Sequence, residues 1–121
     1  GRPMLDGGIV DSIPLLRAVE QGYDKLVVVL TRNKGYRKSV KEVMVPRFIY
    51  KVYPRLRVAL RNRNKIYNEQ LELVERLEDE GKIVVIRPEE PIVVGRMETN
   101  VRKWTDLYKQ GYACAKKVME R

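Results

Sequence analysis

The chain has 121 residues, enough for one domain with a real core or for a piece of a larger one, and its 44% hydrophobic and 34% charged composition is that of a folded protein. Its net charge is +9, and the longest apolar run, Leu26 to Leu30, is far too short to span a bilayer. One cysteine, Cys114, excludes an internal disulfide and fits a reducing, cytoplasmic setting, while the absence of histidine removes Ser-His-Asp and Cys-His machinery and most conventional zinc sites.

Pro3 to Leu5 reads as a short apolar strand that stops at Asp6-Gly7-Gly8, where two adjacent glycines permit a sharp turn through positive φ. Asp11 or Ser12 offers an N-cap, Pro14 suits a first helical turn, and a short helix through Leu15, Leu16, Ala18 and Val19 is stopped by Gly22. The run Leu26-Val27-Val28-Val29-Leu30 reads as a strand buried on both faces and parallel to the first. A basic loop around Gly35 leads to a mixed segment, Glu42 to Val52, with a helix expected from near Pro46. Pro54 opens a long helix with Leu56, Leu60, Arg63, Tyr67, Leu71 and Val74 on its inner stripe, closed by Gly81. Its last turn, Glu78-Asp79-Glu80, opposes the helix dipole, and the sequence offers no reason for it.

Ile83 to Ile86 is a further strand, ended by Pro88 and Pro91. Asn100 caps a last helix whose expected buried stripe is Val101, Trp104, Tyr108, Gly111, Tyr112, Ala115 and Met119, with Gly111 marking a close backbone approach. The order β-α-β-α-α-β-α predicts an α/β fold with a small parallel or mixed sheet. If strands upstream of this piece are missing, the sheet carried by Leu26 to Leu30 and Ile83 to Ile86 has bare edges and an uncovered face, so a homo-oligomer is expected of the isolated piece.

The charge is uneven. Arg32 to Tyr67 holds twelve Lys or Arg against Glu42 alone, a local balance of +11, while the remainder carries thirteen bases and fifteen acids. Such a stretch either attracts an anionic membrane surface or an acidic protein, or is a solvated helix face. Nucleic acid is the weaker alternative, because no stacking motif is interleaved with the bases.

The group that looks chemical is Asp6-Gly7-Gly8. A carboxylate at a strand end can serve as a general base, and an Asx-turn explains the same residues without chemistry. Ser12 beside Asp11 fits a cap, Cys114 a small inert core residue, and Glu89-Glu90 a solvated loop rather than a cation site. Arg63 fits either an anion contact or a structural hydrogen bond. No metal and no cofactor are expected.

The stretch Asp6-Gly7-Gly8-Ile9-Val10-Asp11-Ser12-Ile13-Pro14, followed by Ala18, Gly22-Tyr23-Asp24-Lys25 and Leu26 to Arg32, resembles the patatin-like phospholipases, in particular their prokaryotic branch of predicted esterases. Tyr53-Pro54, Arg63, Tyr67-Asn68, Glu80-Gly81-Lys82 and Leu107-Tyr108 to Gly111-Tyr112 resemble that branch's carboxy-terminal extension. The resemblance implies lipid acyl-ester hydrolysis by a serine–aspartate dyad, with Asp6 as its base and Gly7 and Gly8 shaping the turn. It also implies that residues 1–39 end a catalytic domain and 40–121 form a helix-rich extension. No G-x-S-x-G elbow occurs, and Ser12 and Ser39 are the only serines. The expectation is therefore a carboxy-terminal fragment of a larger hydrolase, inactive by itself.

Overall fold

The computed structural model describes residues 1, 4–41, 46, 48, 50–95 and 97–120. It is mixed α/β: a single 3-10 turn at Gly7–Ile9, helix α1 (Leu15–Glu20), strand β1 (Leu26–Val29), the long helix α2 (Pro54–Asp79), strand β2 (Ile83–Ile86) and helix α3 (Val101–Met119). The sheet has two parallel strands, with Leu26 opposite Ile83 and Val29 opposite Ile86. Parallel neighbours need a long crossover, and α2 supplies it.

Two expectations about strands are corrected. Met4 to Asp6 is not a strand, so β1 pairs with β2 alone among the described residues. Nor is β1 buried on both faces. Leu26 and Val28 are half-buried, but Val27 and Val29 are 54% and 70% exposed, and Val84 beside them in β2 is 42% exposed. A two-stranded sheet has helical cover on one side only, so its side chains alternate between core and solvent. The helix expected near Pro46 lies partly outside the described residues; Tyr50 to Val52 form a turn, in which Tyr50 has φ 55° and Tyr53 N donates to Tyr50 O at 2.8 Å.

The chain divides into two compact units, one of residues 1–22 and 37–73, the other of residues 23–36 and 74–121. In the first, Ile13, Leu15 and Leu71 are buried; in the second, Leu30, Val74, Ile83 and Val85 are, and Val74 is wholly enclosed. Helix α2 ends as Gly81 predicts. Gly81 adopts φ 69°, Gly81 N donates to Glu78 O and Lys82 N to Leu77 O, which closes the last turn's open carbonyls.

The acids of that last turn now have a reason. Glu78 pairs with Arg87, Asp79 with Lys34 at 3.2 Å and Glu80 with Lys82 at 2.6 Å. Their repulsion from the helix dipole, a few tenths of a kcal/mol up to about 1, is offset by three cations brought from other parts of the second unit.

Helix α3 is rotated from its expected setting. Its half-buried residues are Leu107, Cys114, Ala115 and Val118, packed toward β2, whereas Val101, Trp104, Tyr108, Tyr112 and Met119 are exposed. Gly111 meets no close backbone: a Cβ built there finds no atom within 4 Å. Gly111→Ala is therefore expected to stabilise the protein by about 1 kcal/mol through helix propensity alone, read as a raised denaturation midpoint at unchanged m-value.

Candidate functional site

Three surfaces hold the residues singled out in the sequence. The first is the Asp6-Gly7-Gly8 turn. Asp6 caps the 3-10 turn, its Oδ1 accepting from Gly8 N at 2.7 Å. Neither glycine has positive φ, so the turn is made without left-handed backbone. What Gly8 supplies is space, since a Cβ there would come within 3.1 Å of Asp6 Oδ1.

Long-range bonds to α2 fix this turn within the first unit. Gly8 O accepts from Ser12 Oγ at 2.7 Å and from Arg63 Nε at 3.2 Å. Gln70 completes the tether, its Oε1 accepting from Ile13 N at 3.0 Å and its Nε2 donating to the Asp11 carboxylate. Asp11 is thus spent on a tertiary bond and Ser12 on a local one to Gly8 O, and the α1 N-cap position falls to Pro14, which makes no side-chain cap. Arg63 takes the structural role that its alternative reading allowed. On the neighbouring α2 face, Asn68 bonds both the N–H and the C=O of Lys38, at 2.8 and 2.9 Å, and Asn64 Nδ2 donates to Ser39 O.

The second surface is the basic one. Seven bases and no acid lie between Glu42 and Glu69. Lys51, Arg55, Arg61 and Lys65 are exposed, and among them so are Phe48 at 79%, Val52 at 81%, Tyr53 and Val58. Val58 sits one helical turn from both Arg55 and Arg61, on the outer face of α2. Arg55, Arg57 and Arg61 have no acidic partner among the described residues, and Arg57 Nε is buried without a hydrogen bond. At its amino-terminal end α2 thus carries Arg55 and Arg57 against the dipole, with no acid to offset them among the described residues.

The third surface is the exposed side of α3. Asn100 Oδ1 accepts from Arg102 N at 3.0 Å, capping the helix. Glu98 braces this start: Oε1 accepts from Thr99 N and Asn100 N, Oε2 from Lys103 Nζ at 2.7 Å, and its carbonyl from Trp104 Nε1 at 3.0 Å. Lys103 first, then the Asn100 N–H, holds the Glu98 carboxyl below its ordinary value of 4.5. A depressed folded pKa contributes stability above the unfolded value that is lost as pH falls through the folded one. The start of α3 is therefore expected to loosen as pH falls below the ordinary glutamate value of 4.5, seen as faster amide exchange at Arg102 to Trp104, and Glu98→Gln should flatten that dependence.

Cys114 Sγ donates to Arg87 O at 2.7 Å, and Glu89 pairs with Lys117, which accounts for both without chemistry. Among the described residues no group of three His, Cys, Asp or Glu side chains could hold a metal ion, and no helix is long and apolar enough to cross a membrane.

Comparison with known families gives a match over residues 53–121 to a domain of unknown function, DUF6363. The chain belongs to the DUF6363 family. No curated protein and no solved structure matches it.

The DUF6363 segment contains α2, β2 and α3 complete, with the basic surface of α2 and the exposed side of α3. The Asp6-Gly7-Gly8 turn and β1 lie outside it. The resemblance to the patatin-like phospholipases is corrected accordingly, because the family found is a different one and no patatin-like match accompanies it. The motif that carried the resemblance was short. Asp-Gly-Gly also satisfies a capped turn, and the strand expected to lead into it is not formed by Met4 to Asp6.

Proposed function

We propose that this DUF6363 chain is a non-catalytic docking module for an anionic membrane surface. The observation that supports the reading is the exposed set Phe48, Val52, Tyr53 and Val58 interleaved with Lys51, Arg55 and Arg61, with no acid between Glu42 and Glu69. Apolar side chains that reach the acyl boundary beside bases at headgroup level combine the two attractions that hold a protein on a membrane, and each base near such a surface contributes about 1 kcal/mol. A solvated helix face would carry acids among its bases; this one does not. An acidic protein would suit the charges but gives Phe48 and Val52 no specific role.

Co-sedimentation tests it. The protein is expected to pellet with vesicles of phosphatidylcholine and phosphatidylglycerol, to stay in the supernatant with phosphatidylcholine alone, and to be released at 1 M salt, where screening lengths fall to about 3 Å. Equal indifference to both vesicles ends the reading, and capture by an acidic protein instead would transfer the surface to that class of partner.

A second reading concerns Asp6. Its exposed carboxylate is held on one oxygen by Gly8 N and stands on a turn braced by Ser12 and Arg63. We propose that such a fixed carboxylate serves as the general base of an acyl-ester hydrolase whose nucleophile comes from outside these residues. The 121 residues alone should then leave a short-chain nitrophenyl ester intact. Hydrolysis that survives Asp6→Ala would rule this reading out.

A further inference from the structure

We infer that the exposed side of α3 is an interfacial face, which lies in the headgroup layer of the same anionic membrane and sinks its aromatic row toward the acyl chains. The inference rests on the membrane reading but on a different unit of the chain. Val101, Trp104, Tyr108, Tyr112 and Met119 recur at intervals of three, four and seven, so they form one row along the helix, about 27 Å long at 1.5 Å per residue. All five are exposed, Tyr108 at 72% and Val101 at 74%. One side of the row is the packed seam of Leu107, Cys114, Ala115 and Val118. The other is edged by Arg102, Lys109 and Lys116, spaced every seven residues and therefore aligned. Lys116 has an exposed partner in Glu120 at 3.7 Å, a weak tie that water screens.

Charge selects the occupant. A second copy laid antiparallel along this row would bring Arg102, Lys109 and Lys116 against the same three bases, and like charges facing each other are destabilising. Anionic headgroups match that edge. The aromatic row suits an interface too, because Trp and Tyr have an apolar body and a polar tip, and they concentrate where one end is dry and the other wet. Trp104 is prepared for the dry side: its one polar atom, Nε1, is already bonded to Glu98 O, so entering an apolar phase strands no donor.

Trp104 is the only tryptophan, so its emission reports this face alone. With vesicles of phosphatidylcholine and phosphatidylglycerol, emission should move to shorter wavelength and be quenched when the acyl chains are brominated. The Tyr108→Ser/Tyr112→Ser variant, changed at two exposed positions, should keep its far-UV spectrum and its co-sedimentation while losing most of the shift and the quenching. Co-sedimentation of the parent protein without any change at Trp104 overturns the inference and leaves the docking reading standing. No co-sedimentation at all removes both. A shift that instead grows with protein concentration in the absence of lipid assigns the row to a second copy and overturns the inference as well.

Discussion

Arg87→Ala is expected to lower the unfolding free energy by about 3 kcal/mol, enough to shift the melting temperature by about 10 °C in a chain of this size. Arg87 directly follows β2, and its side chain is only 9% exposed. Nη2 bonds Glu78, Nη1 lies 4.0 Å from Glu75, and its carbonyl accepts from Cys114 on α3. One residue therefore joins the strand's end to α2 through its side chain and to α3 through its backbone. Burial pushes the guanidinium below its ordinary value and Glu75 opposes that, the signature of a charge held out of water by its counterions. Removing it leaves Glu78 and Glu75, 29% and 20% exposed, beside the other acids of the turn. Because Glu78 keeps some water, the loss falls at the lower end of what breaking a buried pair costs. Lys34→Ala is the control. Lys34 pairs with Asp79 from a side chain 59% exposed, and its loss should stay within about 0.5 kcal/mol. Equal losses from the two substitutions, measured by urea unfolding, would show that burial of the ion pair is not what matters.

The same turn shows what the sequence could and could not reveal. Gly22 and Gly81 were legible as helix stops because positive φ is a local requirement that glycine meets at little cost, and Asn100 was legible as a cap for the same kind of reason. Both formed strands were legible as β-branched runs. The acids at 78 and 79 were not, because their partners Arg87 and Lys34 come from distant positions, and no local rule pairs them. Helix α3 was misread in phase. Its bulkiest apolar residues form a regular row, and a period fixes which residues share a face but not which face meets β2. Leu107, Cys114 and Val118 win that contact, and the larger aromatic row is left outside. At the Asp6 turn the capping geometry was readable as an Asx-turn, whereas Arg63 reaching back to Gly8 O spans 55 residues and was open until the fold brought them together.

Changing Arg55, Arg57 and Arg61 together to glutamine should weaken binding to anionic vesicles by about 30-fold, at about 1 kcal/mol for each of the two exposed bases, Arg55 and Arg61, while leaving the fold intact or slightly more stable. The opposite signs are the point. Helix α2 has acids where its dipole is negative and bases where it is positive. At the carboxyl end the conflict is met inside the protein by Lys34, Lys82 and Arg87. At the amino end these three arginines have no acidic partner among the described residues, and Arg57 Nε is buried with no bond. Neutralising Arg55 and Arg57, which lie in the first turn where the dipole acts, removes the unmet repulsion, so stability should rise by a few tenths of a kcal/mol up to about 1. A bound anionic surface relieves the same repulsion, which makes these positions costly to the free protein and favourable to the docked one. Loss of vesicle binding together with loss of stability would mean that the arginines hold the fold, and unchanged binding would mean that they do not face the membrane. Weaker binding with a higher melting temperature is the outcome that an uncompensated helix end requires.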